Sequence, residues 1–280
     1  LSSSHFPERN NGNFLICNCI GFLGVLQHEV RYNGADITAH EIEPILVSSD
    51  PNFRPTDIEI GGDGAIYVSD WSNVLIGHMQ HNMRDPNRDH AHGRIYRVSY
   101  RGRPLLEPVK LKGQPIDQVL EAFYAPENGT RYRARLELSG RNREQVIASV
   151  SRWTPTLDPS KMVDAQALLE CLWVLEEQRA PDLDLLKTVF QAAEPRVRAA
   201  AIRTLGHWEG ELEGAEPTLV AAARDASALV RAEAVKAAVA FQGLEAAEVI
   251  FEVATRPTDP ELDTVIKYAQ GRIDVDRVVQ

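Results

Sequence analysis

Residues 53–100 read FRPTDIEIGGDGAIYVSDWSNVLIGHMQHNMRDPNRDHAHGRIYRVSY. PTDIEIG and GAIYVSD alternate apolar and polar positions as half-buried strands do, and Asp63-Gly64 between them is a hairpin signal. GRIYRVSY supplies a third strand after a long polar loop, and a β scaffold places its side-chain chemistry in loops of this kind. Seven of the eight histidines (His5, His28, His40, His78, His81, His90 and His92) lie within residues 1–92, four of them in this loop. Any chemistry is therefore expected in the N-terminal part.

Working outward, NFLICNC, GVLQHEVRY and ITAHEIEPILV are three further strand-like runs, the last two joined across Asn33-Gly34. Six short strands with tight turns predict an antiparallel meander rather than βαβ units. Beyond Pro104 the apolar period becomes helical and alanine becomes abundant. Pro126, Pro159, Pro181, Pro195, Pro217 and Pro260 are expected between the helical runs. Val197-Arg198-Ala199 recurs 33 positions later as Val230-Arg231-Ala232. Tyr132-Arg133-Ala134 is a weaker copy upstream, and in DPELDTVIKYA Asp263 stands where the arginine would be. A period in the thirties built from helix pairs marks an α-solenoid, each repeat burying its apolar face on the next, and here it resembles HEAT repeats. Arg198 and Arg231 are expected to bond neighbouring turns, and Trp153, Trp173 and Trp208 to fill the core. The reading is a multi-domain chain, β then α: a β part over 1–104, a linker over 105–114 and a HEAT-like α-solenoid over 115–280.

With 44% hydrophobic and 25% charged residues in 280, the composition is that of a globular protein. A net charge of −10 without a Lys/Arg cluster argues against nucleic acid as partner. No run of 18 apolar residues predicts a membrane span. Cys17, Cys19 and Cys171 make neither a zinc pattern nor a disulfide framework, and no Cys-x-x-Cys-His occurs to attach haem c. Cys17 and Cys19 share one face of a strand and read as structural thiols. Leu1 at the start, rather than Met, predicts a fragment or a processed chain.

Antiparallel strands reverse at each turn, so segments 48–55 and 71–93 are expected at one edge of the sheet. That gathers Asp50, Arg54 and Asp57 with Asp70, Trp71, His78, His81, Arg84, Asp85, Arg88, Asp89, His90, His92 and Arg94. Three chemistries fit such a set. His78-x-x-His81 and His90-x-His92 offer imidazoles to a transition metal, with Asp85 or Asp89 as carboxylate ligand. A histidine beside Asp or Arg suits a general base, since imidazole titrates near neutrality. Arg84, Arg88 and Arg94 suit an anion clamp, the guanidinium fork matching a carboxylate. The alternative is an ion-pair network of Arg84, Asp85, Arg88 and Asp89 that orders a long loop.

FRPTDIEIGGDGAIYVSDW followed by IGHMQHNMRDPNRDHAHGRIYRV resembles the closing blades of the β-propeller in planctomycete-type haem-binding, membrane-bound dehydrogenase-like proteins. Those proteins join a propeller similar to quinoprotein glucose or sorbosone dehydrogenases to HEAT-like repeats, often with a cytochrome c domain. The resemblance implies a partial β-propeller of about one and a half blades, since a blade has four strands. NFLICNC, GVLQHEVRY and ITAHEIEPILV would be outer strands of one blade; PTDIEIG, GAIYVSD and GRIYRVSY would be the inner three of the next.

It further implies a periplasmic or secreted oxidoreductase acting on sugars or alcohols. Pyrroloquinoline quinone (PQQ) and calcium would be held in the full-length protein, and haem c in a domain outside this chain. His78, His81 and Arg84 would be catalytic, the histidines as proton acceptors. Arg54, Asp57, Asp70, Trp71, Arg88, His90, His92 and Arg94 would bind cofactor or substrate, and Asp85 and Asp89 a metal. The competing expectation is a non-catalytic scaffold that holds glycans or protein partners through the loop face and the HEAT-like surface.

Overall fold

The computed structural model describes residues 1–73, 85, 86 and 89–273. Among the described residues six strands come first: β1 (Phe14–Asn18), β2 (Gly24–Asn33), β3 (Asp36–Val47), β4 (Pro55–Ile60), β5 (Ile66–Asp70) and β6 (Arg94–Val98). They form two three-stranded sheets, ordered β1-β2-β3 and β4-β5-β6. The paired registers described for β1 with β2 and for β5 with both its neighbours are antiparallel, so the expected meander is present. Ten helices follow among the described residues: α1 (Ile116–Glu121), α2 (Asn128–Ser139), α3 (Arg143–Trp153), α4 (Met162–Glu177), α5 (Leu183–Phe190), α6 (Pro195–His207), α7 (Glu216–Ala223), α8 (Ala228–Phe241), α9 (Gly243–Ala254) and α10 (Pro260–Gln270). None of the described helices is long and apolar enough to cross a membrane.

The chain divides into two compact units, the first comprising Leu1–Arg31, Thr38–Lys110 and Ala125–Thr130. Its core is small: Phe6, Val25, Phe53, Ile66 and Val68 are buried, with Cys17 among the half-buried side chains against them. The β4–β5 turn has Gly64 at φ +78°, where a Cβ would lie 2.8 Å from the His5 side chain. Asp63 fixes that turn by accepting from Ala65 N (3.1 Å) and the Tyr67 hydroxyl (2.9 Å). His5, itself buried, joins the N-terminal segment to the end of the sheet. Its Nδ1 donates to Pro104 O (2.9 Å) and its Nε2 accepts from Tyr100 N (2.9 Å).

The second unit comprises Tyr32–Ile37, Leu111–Tyr124 and Arg131–Gln280. Helices α4, α6, α8 and α10 begin at residues 162, 195, 228 and 260, a spacing in the low thirties, and α6 packs on α4, α8 on α6 and α10 on α8. The shorter helices α7 and α9 lie against α8, which gives the helix-pair stack the repeat predicts. Helix α4 is apolar nearly all round because its neighbours cover it. Three of the expected breakers stand inside helices: Pro195 and Pro260 are first residues and Pro217 is a second residue. The first turn has no use for the proline N–H, so these prolines start helices rather than separate them. Cys171 is buried in α4, and desolvation drives its thiol pKa far up, consistent with a structural role.

The repeat arginines bond as expected. Arg198 grips Asp225 through Nε (2.8 Å) and Nη2 (2.9 Å) and donates through Nη1 to the Ala192 and Ala193 carbonyls. Arg231 donates to the Asp225, Ala226 and Pro257 carbonyls. Trp208 is buried, and Trp153 and Trp173 pack against the same core.

Candidate functional site

The strand register sets the mouth of the polar loop. Asp70, last residue of β5, pairs across the ladder with Arg94, first residue of β6, while Pro55 opens β4 opposite Asp70 beside a register shift. Proline has no N–H to give the ladder, so the bulge falls where that donor is missing. Asp70 is thereby surrounded. Its Oδ1 accepts from Arg54 N (2.7 Å) and Ser72 N (2.8 Å), and its Oδ2 from Arg94 Nε (2.6 Å). Ser72 has φ 53°, a left-handed conformation that the Asp70 bond to its N–H compensates.

Arg94 carries the network outward. Its Nη1 donates to Asp50 Oδ2 (2.6 Å), and its guanidinium lies 5.6 Å from the Tyr96 ring centroid. Tyr96 in turn meets Phe53 edge to face at 5.6 Å. The Asp50 carboxyl is held below its ordinary pKa, first by the Asn52 N–H and then by Arg94, whose own pKa is raised chiefly by Asp50. Arg54 is buried, donating through Nη1 to the Phe53 carbonyl, while its own carbonyl accepts from Trp71 N. Asp50, Arg54, Asp70 and Arg94 therefore converge as the antiparallel geometry predicts, and Asp70 is bonded by Arg94 and by the backbone of Arg54 and Ser72.

Of the other candidates, Trp71 adjoins that group through its N–H on the Arg54 carbonyl. Asp57 is exposed and caps its own neighbour, accepting from Ile58 N (2.9 Å). Trp71 is 39% exposed. The Asp89 carboxylate accepts from Ala91 N, His92 N and His92 Nδ1, the last at 2.9 Å. These bonds, the Ala91 N–H foremost, hold its pKa down. His90 Nε2 lies 3.2 Å from the Asp85 carbonyl, not from its carboxylate. His78, His81, Arg84 and Arg88 lie outside the described residues. Among the described residues no group of three or more His, Cys, Asp or Glu side chains converges in a metal-binding arrangement.

Two buried carboxylates escaped the sequence reading. Glu170 on α4 has no exposed side-chain surface and is met by Arg131 Nε (3.0 Å), by Arg135 Nη1 and by Gln166 (2.9 Å). Glu233 on α8 receives both arms of Arg203 (3.0 and 3.1 Å) and Lys236 (3.0 Å). The available signal was a lone acid inside an apolar run, as in ALLECLWVL.

Residues 1–102 match a family described as a domain of unknown function, DUF7133, and residues 183–269 match HEAT repeats. Neither match spans half of the chain, and neither is to a haem-binding or quinoprotein family. No curated protein and no solved structure matches the chain.

Proposed function

We propose that this chain is a non-catalytic binding scaffold, in which the HEAT-like stack takes a protein partner and the sheet unit presents the polar loop as a recognition surface. Asp70 carries the reading. Both of its oxygens are occupied by N–H donors and its cationic neighbour is shared with Asp50, which is how a loop is anchored rather than how a substrate is met. The HEAT-like match adds support, since stacked helical repeats offer extended surfaces to proteins.

A second reading keeps the oxidoreductase: a partial propeller of a periplasmic or secreted sugar or alcohol dehydrogenase. What favours it is the exposure of Trp71, His90 and His92 around the loop. In it His78 or His81 accepts a hydroxyl proton while Arg84 and Arg88 hold the substrate. The chemistry that PQQ and calcium would supply there, when bound in the full-length protein, is that of a hydride acceptor. Calcium needs six to eight oxygen ligands, and the described carboxylates offer no such set, so no step is assigned to either group.

The two readings separate in one experiment. The full chain is given PQQ, calcium, an electron acceptor and glucose or sorbitol, alongside the His78→Ala, His81→Ala, Arg84→Ala triple variant. The scaffold reading expects no turnover from either protein and partner crosslinks within 183–269 that persist in the triple variant. Turnover that collapses in that variant overturns it.

A further inference from the structure

Away from the loop, the first unit holds a cleft of about 490 Å³ lined by Phe6, Pro7, Arg9, Asn10, Gln27, Ile42 to Ile45 and Val98 to Tyr100. Its size lies within the roughly 300–1,000 Å³ of small-molecule sites. We propose that this cleft binds a small neutral polyhydroxylated ligand, a monosaccharide or the end of a short glycan.

The lining chemistry points to that class. Arg9 and Glu43 are one cation and one anion, so neither an anion nor a cation is matched by net charge. The remaining polar groups are amides and hydroxyls, Asn10, Gln27, Ser99 and Tyr100, which both donate and accept. Gln27 is buried and set in place: Asn10 Nδ2 donates to its Oε1 (2.8 Å), and its Nε2 donates to the Glu43 carbonyl (3.3 Å). One N–H and one lone pair of that amide remain, the pair of functions a sugar hydroxyl can use. The apolar lining is Phe6, Pro7, Pro44 and the Tyr100 ring together with Ile42, Ile45 and Val98, surfaces for the C–H faces of a pyranose.

The aromatic wall is positioned by the backbone. Gly102 leaves room for the Tyr100 ring, since a Cβ there would lie 2.5 Å from two of its ring atoms. Arg103 Nη1 ties down the other wall through the Ser4 (2.7 Å) and Phe6 (2.9 Å) carbonyls. A purely apolar ligand would strand the buried Gln27 amide, which is costly in a dry contact.

The proposal stands apart from the protein-partner reading of the helical stack, and the two fail separately. Calorimetry and amide NMR on the full chain would use glucose, maltose and sorbitol as probes, with inorganic phosphate and a short extended Val-Thr peptide as controls. The expected result is saturable binding of at least one sugar or polyol, with shifts at Gln27 and Tyr100, weakened about tenfold or more by Tyr100→Ala or Glu43→Gln. Both substituted side chains are exposed, and an unchanged melting curve would confirm that these variants fold. Absence of saturable sugar binding, an unchanged affinity in both variants, or binding of the peptide or phosphate alone would overturn it.

Discussion

At Asp70 a carboxylate with no exposed side-chain surface accepts from two backbone amides and from an arginine that is one-third exposed. Asparagine in its place would set an amide N–H or a weaker acceptor against these donors, while Arg94 would keep Asp50. Asp70→Asn is therefore expected to destabilise the sheet unit by about 1–3 kcal/mol. Asp50, which meets the same arginine from the exposed side, should cost far less as Asn. Urea unfolding followed by the strand signal measures both. Equal losses at the two positions would show that burial is not what sets the strength of this clamp. The residue types here were legible as a charged cluster, but which charge is buried was not, because burial is set by strands and loops far apart in sequence.

Among the elements, the α6–α8 contact is the most informative, because it sets Arg203 of α6 on the buried Glu233 of α8. Burial pushes the Glu233 pKa up, but Arg203 and Lys236 outweigh it and hold the group below its ordinary 4.5. A carboxylate whose folded pKa is depressed stabilises the fold above its unfolded pKa and loses that contribution as pH falls through the folded value. Helical stability should therefore be insensitive to this group above pH 4.5 and decline below it. Glu233→Gln should flatten that acid limb in chemical denaturation followed by helical circular dichroism. An acid limb of unchanged slope in the variant would remove Glu233 as its cause. The Val-Arg-Ala repeat made α6 and α8 visible in the sequence, whereas Glu233 gives no local sign of its partner 30 residues away. The prolines were misjudged for a related reason: composition marks a helix boundary, but only the backbone says on which side of it the residue falls.

Over the whole molecule, the two units differ in how much apolar surface they bury. The sheet unit rests on Phe6, Val25, Phe53, Ile66 and Val68, whereas the helical unit packs α4, α6 and α8 with buried Leu, Val, Ile and Ala along most of their length. Each fully buried large apolar side chain contributes roughly 1.5–3 kcal/mol, so the smaller core should open first. Hydrogen exchange is expected to show lower opening free energies for amides of β1 to β6 than for those of α4, α6 and α8. Equal protection in both sets would refute that ordering. The sequence by itself determined the strands, their hairpin turns and the helical repeat, because alternation, turn dipeptides and a recurring Val-Arg step are properties of neighbours along the chain. Only the tertiary structure decided that Asp70 is sealed by Arg94 and the backbone, that Glu170 and Glu233 are paired, and that segments around residues 6, 27, 43 and 99 enclose a cleft. Pairing and enclosure depend on distances between residues remote in sequence and on the water removed between them, and neither quantity is written in local order.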